Sequence, residues 1–378
     1  RGRRGKKLKN LAPMPRTTRA SRTWFISGWP VTVSAGHAVL PEGITHLPDG
    51  AFKSRTLGLV AVSCPSSLIS IGARSFHGCT ALTSISLPAG LQSIGYRAFD
   101  GCSSLTNLSL PDGLTAIGGQ AFHRCSSLTV ISLPQSLASV GDWAFEDCVS
   151  LASVTFPSGL ACLGNGAFHR CSGLTAIDLP AGLTYLGHDA FHGASSLTRV
   201  ALPAGLTSLS RSAFANCRAL SAILLPAGLT SIGDFAFSGC VSLTTVALPD
   251  SITSIGEGSF NGCTSLARAT MPSALTFIGF IAFLLCPALA HITVPTTAEI
   301  DVRAFPHTTV VHRLSPASMR AQQQLFFLYK ATLAYKRCRP GLLGWLERAQ
   351  IRLGSYCENG AARKRDLAEF ERDFAVQI

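Results

Sequence analysis

Between residues 51 and 305 the apolar positions recur every 23 residues, and each period repeats one code of apolar, small and turn-forming positions. Phe76, Phe99, Phe122, Phe145, Phe168, Phe191, Phe214, Phe237, Phe260 and Phe283 keep this beat, with Phe52 and Phe305 one residue out of step at its ends. Pro88, Pro111, Pro134 and their successors to Pro295 keep it too. In the copy Ala98 to Gln120, Leu105, Leu108 and Leu110 have L-x-x-L-x-L spacing, which places the last two on one face of a short strand. Pro111 has no N–H to continue a ladder, and Gly113 is expected to turn the chain at positive φ. Leu114 and Ile117 then open a second extended segment across the coil, which Gly118 ends. One unit cannot bury its own Phe, Leu and Ile side chains. Copies stacked roughly 4.8 Å apart bury them against one another. The pattern therefore predicts a repeat solenoid, mainly β, with short strands and turns and a continuous apolar core, roughly 50 to 60 Å long.

The Leu-x-x-Ile-x-Leu core resembles a leucine-rich repeat. The whole unit, with its Ala-Phe-x-x-Cys corner and Ile-x-Leu-Pro strand, resembles the BspA-type (Treponema pallidum-like) class over residues 41 to 305, about 70% of the chain. The resemblance implies a leucine-rich-repeat-like fold and a binding or adhesion role on bacterial or protist surfaces. It departs from ordinary leucine-rich repeats where Gly90, Gly113, Gly159, Gly182, Gly205 and Gly228 replace an Asn ladder. Another hydrogen-bond arrangement must then satisfy the turn.

The pattern breaks at both ends. Trp24, Phe25, Ile26, Trp29, Val31 and Val33 read as an N-terminal capping strand. Beyond the repeats, Ser315-Pro316 has the form of a helix N-cap followed by Pro at the first helical position. Met319 to Leu333, Leu342 to Leu353 and Leu367 to Phe374 carry apolar residues at helical spacing, and C-terminal α-helices are expected to cap the solenoid. The expected organisation is a basic disordered tail (1–22), an N-terminal cap (23–50), the repeat solenoid (51–312) and a helical C-terminal cap (313–378).

Charge sharpens this division. Residues 1–22 hold nine basic side chains, among them Arg1, Arg3, Arg4, Lys6, Lys7 and Lys9, and no acidic one. Residues 313–378 hold twelve basic against six acidic, and the body between holds eleven against fourteen. A like-charged tail stays solvated and can contact polyanions, so it is the candidate anion-binding element, with nucleic acid among its possible partners. No apolar run approaches the roughly 18 residues of a membrane span. The tail leads into no apolar signal-peptide core. That favours an intracellular location over the cell surface, which stands as the alternative.

Candidate chemistry is sparse. Nine of the 13 cysteines occupy one slot, from Cys79 to Cys286, which also accepts Ala194. Stacked ligands lie in a line rather than a tetrahedron, so the slot reads as small buried hydrophobes. His77, His123, His169 and His192 follow the repeat Phe by one residue. The same slot holds Asp100, Glu146, Ala215, Ser238 and Asn261, as a variable exposed position would, and no metal site is expected there. The glycines belong to turns, no nucleophile has a base at recognisable spacing, and no paired carboxylates stand out. The sequence predicts no enzyme, no cofactor and no small-molecule substrate.

Recognition is expected on positions that vary while the scaffold repeats. The outward strand positions are mostly small, with Arg199, Arg268 and His291 standing out. Trp143 and Phe235, two residues before a repeat Phe, are candidate aromatic anchors, with packing between coils the other reading. The preferred function is a non-enzymatic protein–protein interaction or adhesion scaffold. The alternative is an intracellular assembly subunit that grips an acidic partner or RNA through its basic ends.

Overall fold

A computed structural model of the chain describes residues 22–53 and 58–324. The chain divides into two compact units, with the boundary between Arg313 and Leu314.

The first unit is a β-solenoid. It opens with β1 (Arg22–Ile26) antiparallel to β2 (Trp29–Ser34), which is antiparallel to β3 (His37–Val39). The expected capping strand is thus two strands joined at Ser27 and Gly28, both at positive φ, as a tight hairpin of matching twist requires. β3 pairs in parallel with Ala61–Ser63, and from there every strand pairing is parallel up to the coil at Phe277–Ile278, each residue facing its counterpart in the neighbouring coil. One column of strands runs through Ser84–Ser86, Val130–Ser132, Arg199–Ala201 and Arg268–Thr270. A second, on the other side of the coil, runs through Ser93–Ile94, Ala116–Ile117 and Ser231–Ile232.

Three columns of side chains fill the space between. The Phe rings stack from Phe52 to Phe305 with centroids 5.0–5.7 Å apart, and both out-of-step residues join the stack. Leu105, Leu108 and Leu110 are buried as the spacing requires. At the corner each Phe N–H from Phe52 to Phe283 donates to a carbonyl of the next coil, as Phe99 does to Ala121 at 2.7 Å.

The third column carries the cysteines. All eleven described cysteines are free thiols. From Cys102 to Cys286 each cysteine of the repeat slot donates its Sγ–H to the carbonyl of the Phe 26 residues earlier, as in Cys125 to Phe99 at 3.3 Å and Cys148 to Phe122 at 3.2 Å. The turn at the missing Asn slot is closed separately by its own backbone, as where the Leu114 N–H donates to the Pro111 carbonyl at 3.0 Å. Burial pushes the Cys240 thiol up to about 12 and holds those of Cys102, Cys125, Cys171 and Cys217 well above the ordinary value, so the ladder thiols stay protonated donors.

The glycines correct an expectation. Gly113 does not have positive φ. A Cβ there would stand 2.9 Å from the Ala89 carbonyl of the preceding coil, so close approach is what demands glycine.

The second unit is described only at its start. A helix begins at Pro316, and Ser315 caps it by accepting a hydrogen bond from the Ser318 N–H at 3.2 Å. The helical segments expected beyond residue 324 lie outside the described residues, as do Arg1, Arg3, Arg4, Lys6, Lys7 and Lys9. Among the described residues no helix is long and apolar enough to cross a membrane.

Candidate functional site

The first strand column presents a regular outer face. Ala176 pairs with Arg199, and Thr245 with Arg268, so their counterparts in successive coils form one row. Arg199 is exposed and its guanidinium donates to Asp178 Oδ2 at 2.8 Å across the face. Arg268 and His291 are exposed on the same face further along, and His291 stacks on His312 with centroids 5.7 Å apart. Two large apolar side chains stand in these rows: Val130 is 54% exposed and Leu224 82%.

Trp143 and Phe235 belong to a different row. The residue two before each repeat Phe adopts positive φ, including Arg97, Trp143, Asp189 and Phe235. That backbone folds the side chain over the next coil. A Cβ added at Gly166 would run into the Trp143 indole, and one at Gly258 into the Phe235 ring. Trp143 also meets His169 edge-on at 5.3 Å. Both aromatics are half-buried and pack between coils, so the structure does not bring them together with Arg199, Arg268 and His291.

The row one residue after each Phe departs most from expectation. It is not an exposed variable position: Asp100 and His123 are buried, while Glu146 and His169 keep less than a fifth of their side-chain surface. Stacking lines these residues up as alternating imidazoles and carboxylates. His123 Nδ1 donates to Asp100 Oδ1 at 2.8 Å, and His77 approaches the other Asp100 oxygen at 3.1 Å. On its far side His123 Nε2 faces Glu146 Oε2 at 3.6 Å and Asp147 Oδ2 at 4.0 Å. His169 Nδ1 lies 3.3 Å from Glu146 Oε1, and the His169 ring stacks on His192 at 4.8 Å.

The electrostatics follow from this arrangement. Burial pulls the Asp100 carboxyl upward, but the hydrogen bond from His123 and the positive potential of His123, His77 and Arg97 outweigh it and hold the group below the ordinary carboxylate value. Burial, His169 and Arg170 push His192 below the ordinary imidazole value against the opposing pull of Asp189. Among the described residues, His123, Glu146 and Asp147 have donor atoms within 4.8 Å of one another, close enough for one metal ion.

Comparisons with known proteins agree with this architecture. The family model for the BspA type leucine rich repeat region matches residues 45–175, 93–221 and 184–312. No curated protein matches the chain. A leucine rich cell surface protein from Faecalibacterium prausnitzii is 24% identical, with a TM-score of 0.52 over 77% of this chain and 88% of that one. A leucine-rich repeat protein from Bacteroides ovatus is 22% identical, with a TM-score of 0.47 over 80% of this chain and 100% of that one. The leucine-rich repeat protein of T. pallidum is 26% identical, with a TM-score of 0.37 over 59% and 87%. The first of these shares the solenoid fold.

Proposed function

The chain belongs to the BspA-type leucine-rich repeat family, and from that premise we propose that it is a non-enzymatic scaffold for protein–protein interaction or adhesion, recognising its partner on the outer face of the first strand column. Proteins of this family are generally interaction or surface scaffolds and typically non-enzymatic. One observation carries the reading. The inward positions of successive coils repeat the same few apolar residues, while the outward row runs through Val130, Ser153, Ala176, Arg199, Ala222, Thr245, Arg268 and His291. Leu224, in the neighbouring outward row, keeps most of its surface in water. A flat sheet of mostly small side chains interrupted by a few apolar and cationic ones suits a broad protein contact with local anchors. Nucleic acid would favour a continuous basic or aromatic stripe.

A second reading has its own observation, the nine basic and no acidic side chains of residues 1–22. On that reading the chain is an intracellular assembly subunit whose basic end holds an acidic partner or RNA. Capture from native cell extract separates the two, using the full chain, a chain lacking residues 1–22, and a full chain with Leu224→Asp and Arg199→Glu. Partners held through the strand face stay on the truncated chain at raised salt and are lost from the double variant. Partners lost with the tail, or with salt alone, overturn the face as the recognition element and favour the second reading.

A further inference from the structure

We propose that His123 Nε2, Glu146 Oε2 and Asp147 Oδ2 form a binding site for one divalent transition-metal ion of the zinc class. Asp100 and His169 act as positioning residues for its ligands.

The hydrogen-bond inventory of His123 comes first. An ionised Asp100 can only accept, so the 2.8 Å contact fixes the proton on His123 Nδ1. In the neutral ring the Nε2 lone pair then points away from Asp100 toward two carboxylates, 3.6 and 4.0 Å distant. Three acceptors facing one another are relieved by a cation between them, which is either a proton on Nε2 or a metal ion. The spacing suits a metal better than a hydrogen bond: ligand bonds of about 2.0–2.2 Å set donors roughly 3.0–3.6 Å apart, so a small closure of Asp147 completes the set. Both other contacts are too long for good hydrogen bonds.

The surroundings are built as metal sites are. A ligating imidazole usually donates its second nitrogen to a carboxylate, which is what Asp100 receives. The Glu146 oxygen not turned to the site is approached by His169. The side chains of His123, Glu146 and Asp147 retain 11%, 18% and 24% of their surface, enough for an ion to enter and for water to fill its remaining positions. The nearby cation is Arg124, 3.7 Å from Asp147 Oδ2 on a side chain that is 68% exposed and free to swing out. Thiols do not compete, because Cys125 and Cys148 donate inward to Phe carbonyls. An imidazole among two carboxylates favours zinc, cobalt or nickel over magnesium and calcium, which prefer oxygen alone.

The test uses the purified full chain after removal of metal with EDTA, titrated with Zn²⁺ by calorimetry and with Co²⁺ by absorption. The expected result is one equivalent bound. Glu146→Gln, Asp147→Asn and His123→Asn each should weaken binding at least tenfold. Asp100→Asn should weaken it on the order of 10–100-fold, as loss of an outer carboxylate does. His307→Ala, at an exposed histidine far from the cluster, should bind as the wild type does. If His123→Asn fails to fold, the near-isosteric Glu146→Gln and Asp147→Asn carry the test, with thermal melts showing that they are folded. Three results would overturn the site: no saturable binding, as when His123 is held by a proton alone; unchanged affinity in the folded carboxamide variants; or a cobalt–thiolate absorption band, which would assign the metal to cysteines.

Discussion

Two slots are filled mostly by glycine, and the space around each residue sets its demand: the turn slot is tight at Gly113 and open at Gly159. Gly141 follows the second strand of its coil, and a Cβ there would stand 2.7 Å from the backbone of Gly118 and Gly119. Gly159 lies in the turn after Pro157, and a Cβ there would meet nothing within 4 Å. Neither has positive φ, so close approach alone separates them. The molecule contains a natural comparison. Ser210 stands in the crowded slot that Gly187 and Gly233 fill in the adjacent coils, and there the second strand column is interrupted, between Tyr185–Leu186 and Ser208–Leu209. Gly141→Ala should therefore lower the urea midpoint by an amount corresponding to roughly 1–3 kcal/mol, the range for overpacking a tight contact. Gly159→Ala should be neutral or stabilise by up to about 1 kcal/mol, because alanine restricts the unfolded chain. Equal effects at the two positions would refute the distinction.

At the scale of the element, the thiol ladder behaves as one structural part with a gap. Ala194 occupies the slot between Cys171 and Cys217, so no thiol reaches the Phe168 carbonyl. Under reducing conditions Ala194→Cys should raise stability by about 0.5–1.5 kcal/mol, the usual net worth of a hydrogen bond. Cys171→Ala should lower it by about 1–3 kcal/mol through the lost bond and the void. If both substitutions leave the melting temperature unmoved, the sulfur is mere filler. This ladder also marks how far the sequence could be read. Burial of the cysteines was legible from their fixed slot and the Ala194 substitution, but their donation was not, because the acceptor lies 26 residues away in the preceding coil. Phe52 and Phe305 read as out of step, yet a turn with one residue more or fewer still delivers each ring to the stack. The burial of the histidine row is hidden in the sequence because polar Ser238 and Asn261 share its slot and suggest exposure. The usable signal is the order of consecutive copies, His77, Asp100, His123, Glu146, His169, in which imidazole and carboxylate alternate. Trp143 and Phe235 carried a similar signal, since the same slot one copy later is Gly166 and Gly258. Such pairs become visible when copies are compared with their neighbours rather than with an average.

For the whole solenoid, each coil touches only the coils beside it, so stability is close to a sum of coil and interface contributions. The strand register, residue against residue 23 positions on, means that removing a complete period from within the strands leaves every slot filled in kind. Excising residues 200–222 joins Arg199 to Ile223 with the pattern intact, and the shortened protein should still melt in one transition, a few degrees lower. Excising 200–221 leaves one extra residue inside a strand, where it must bulge, rather than in a turn as at Phe52, and should melt well below the 200–222 excision. The same arithmetic localises the polar row. Removing residues 124–146, also one period, deletes Glu146 and places His123 directly before Asp147. Calorimetric melts should show a loss of stability similar to that of the 200–222 excision, because each removes one coil and one interface. Their zinc titrations should differ: the 200–222 excision leaves Asp100, His123, Glu146, Asp147 and His169 in adjoining coils and keeps the stoichiometric site, while the 124–146 excision abolishes it. Retained zinc binding in the latter would mean that the ion is held elsewhere on the chain.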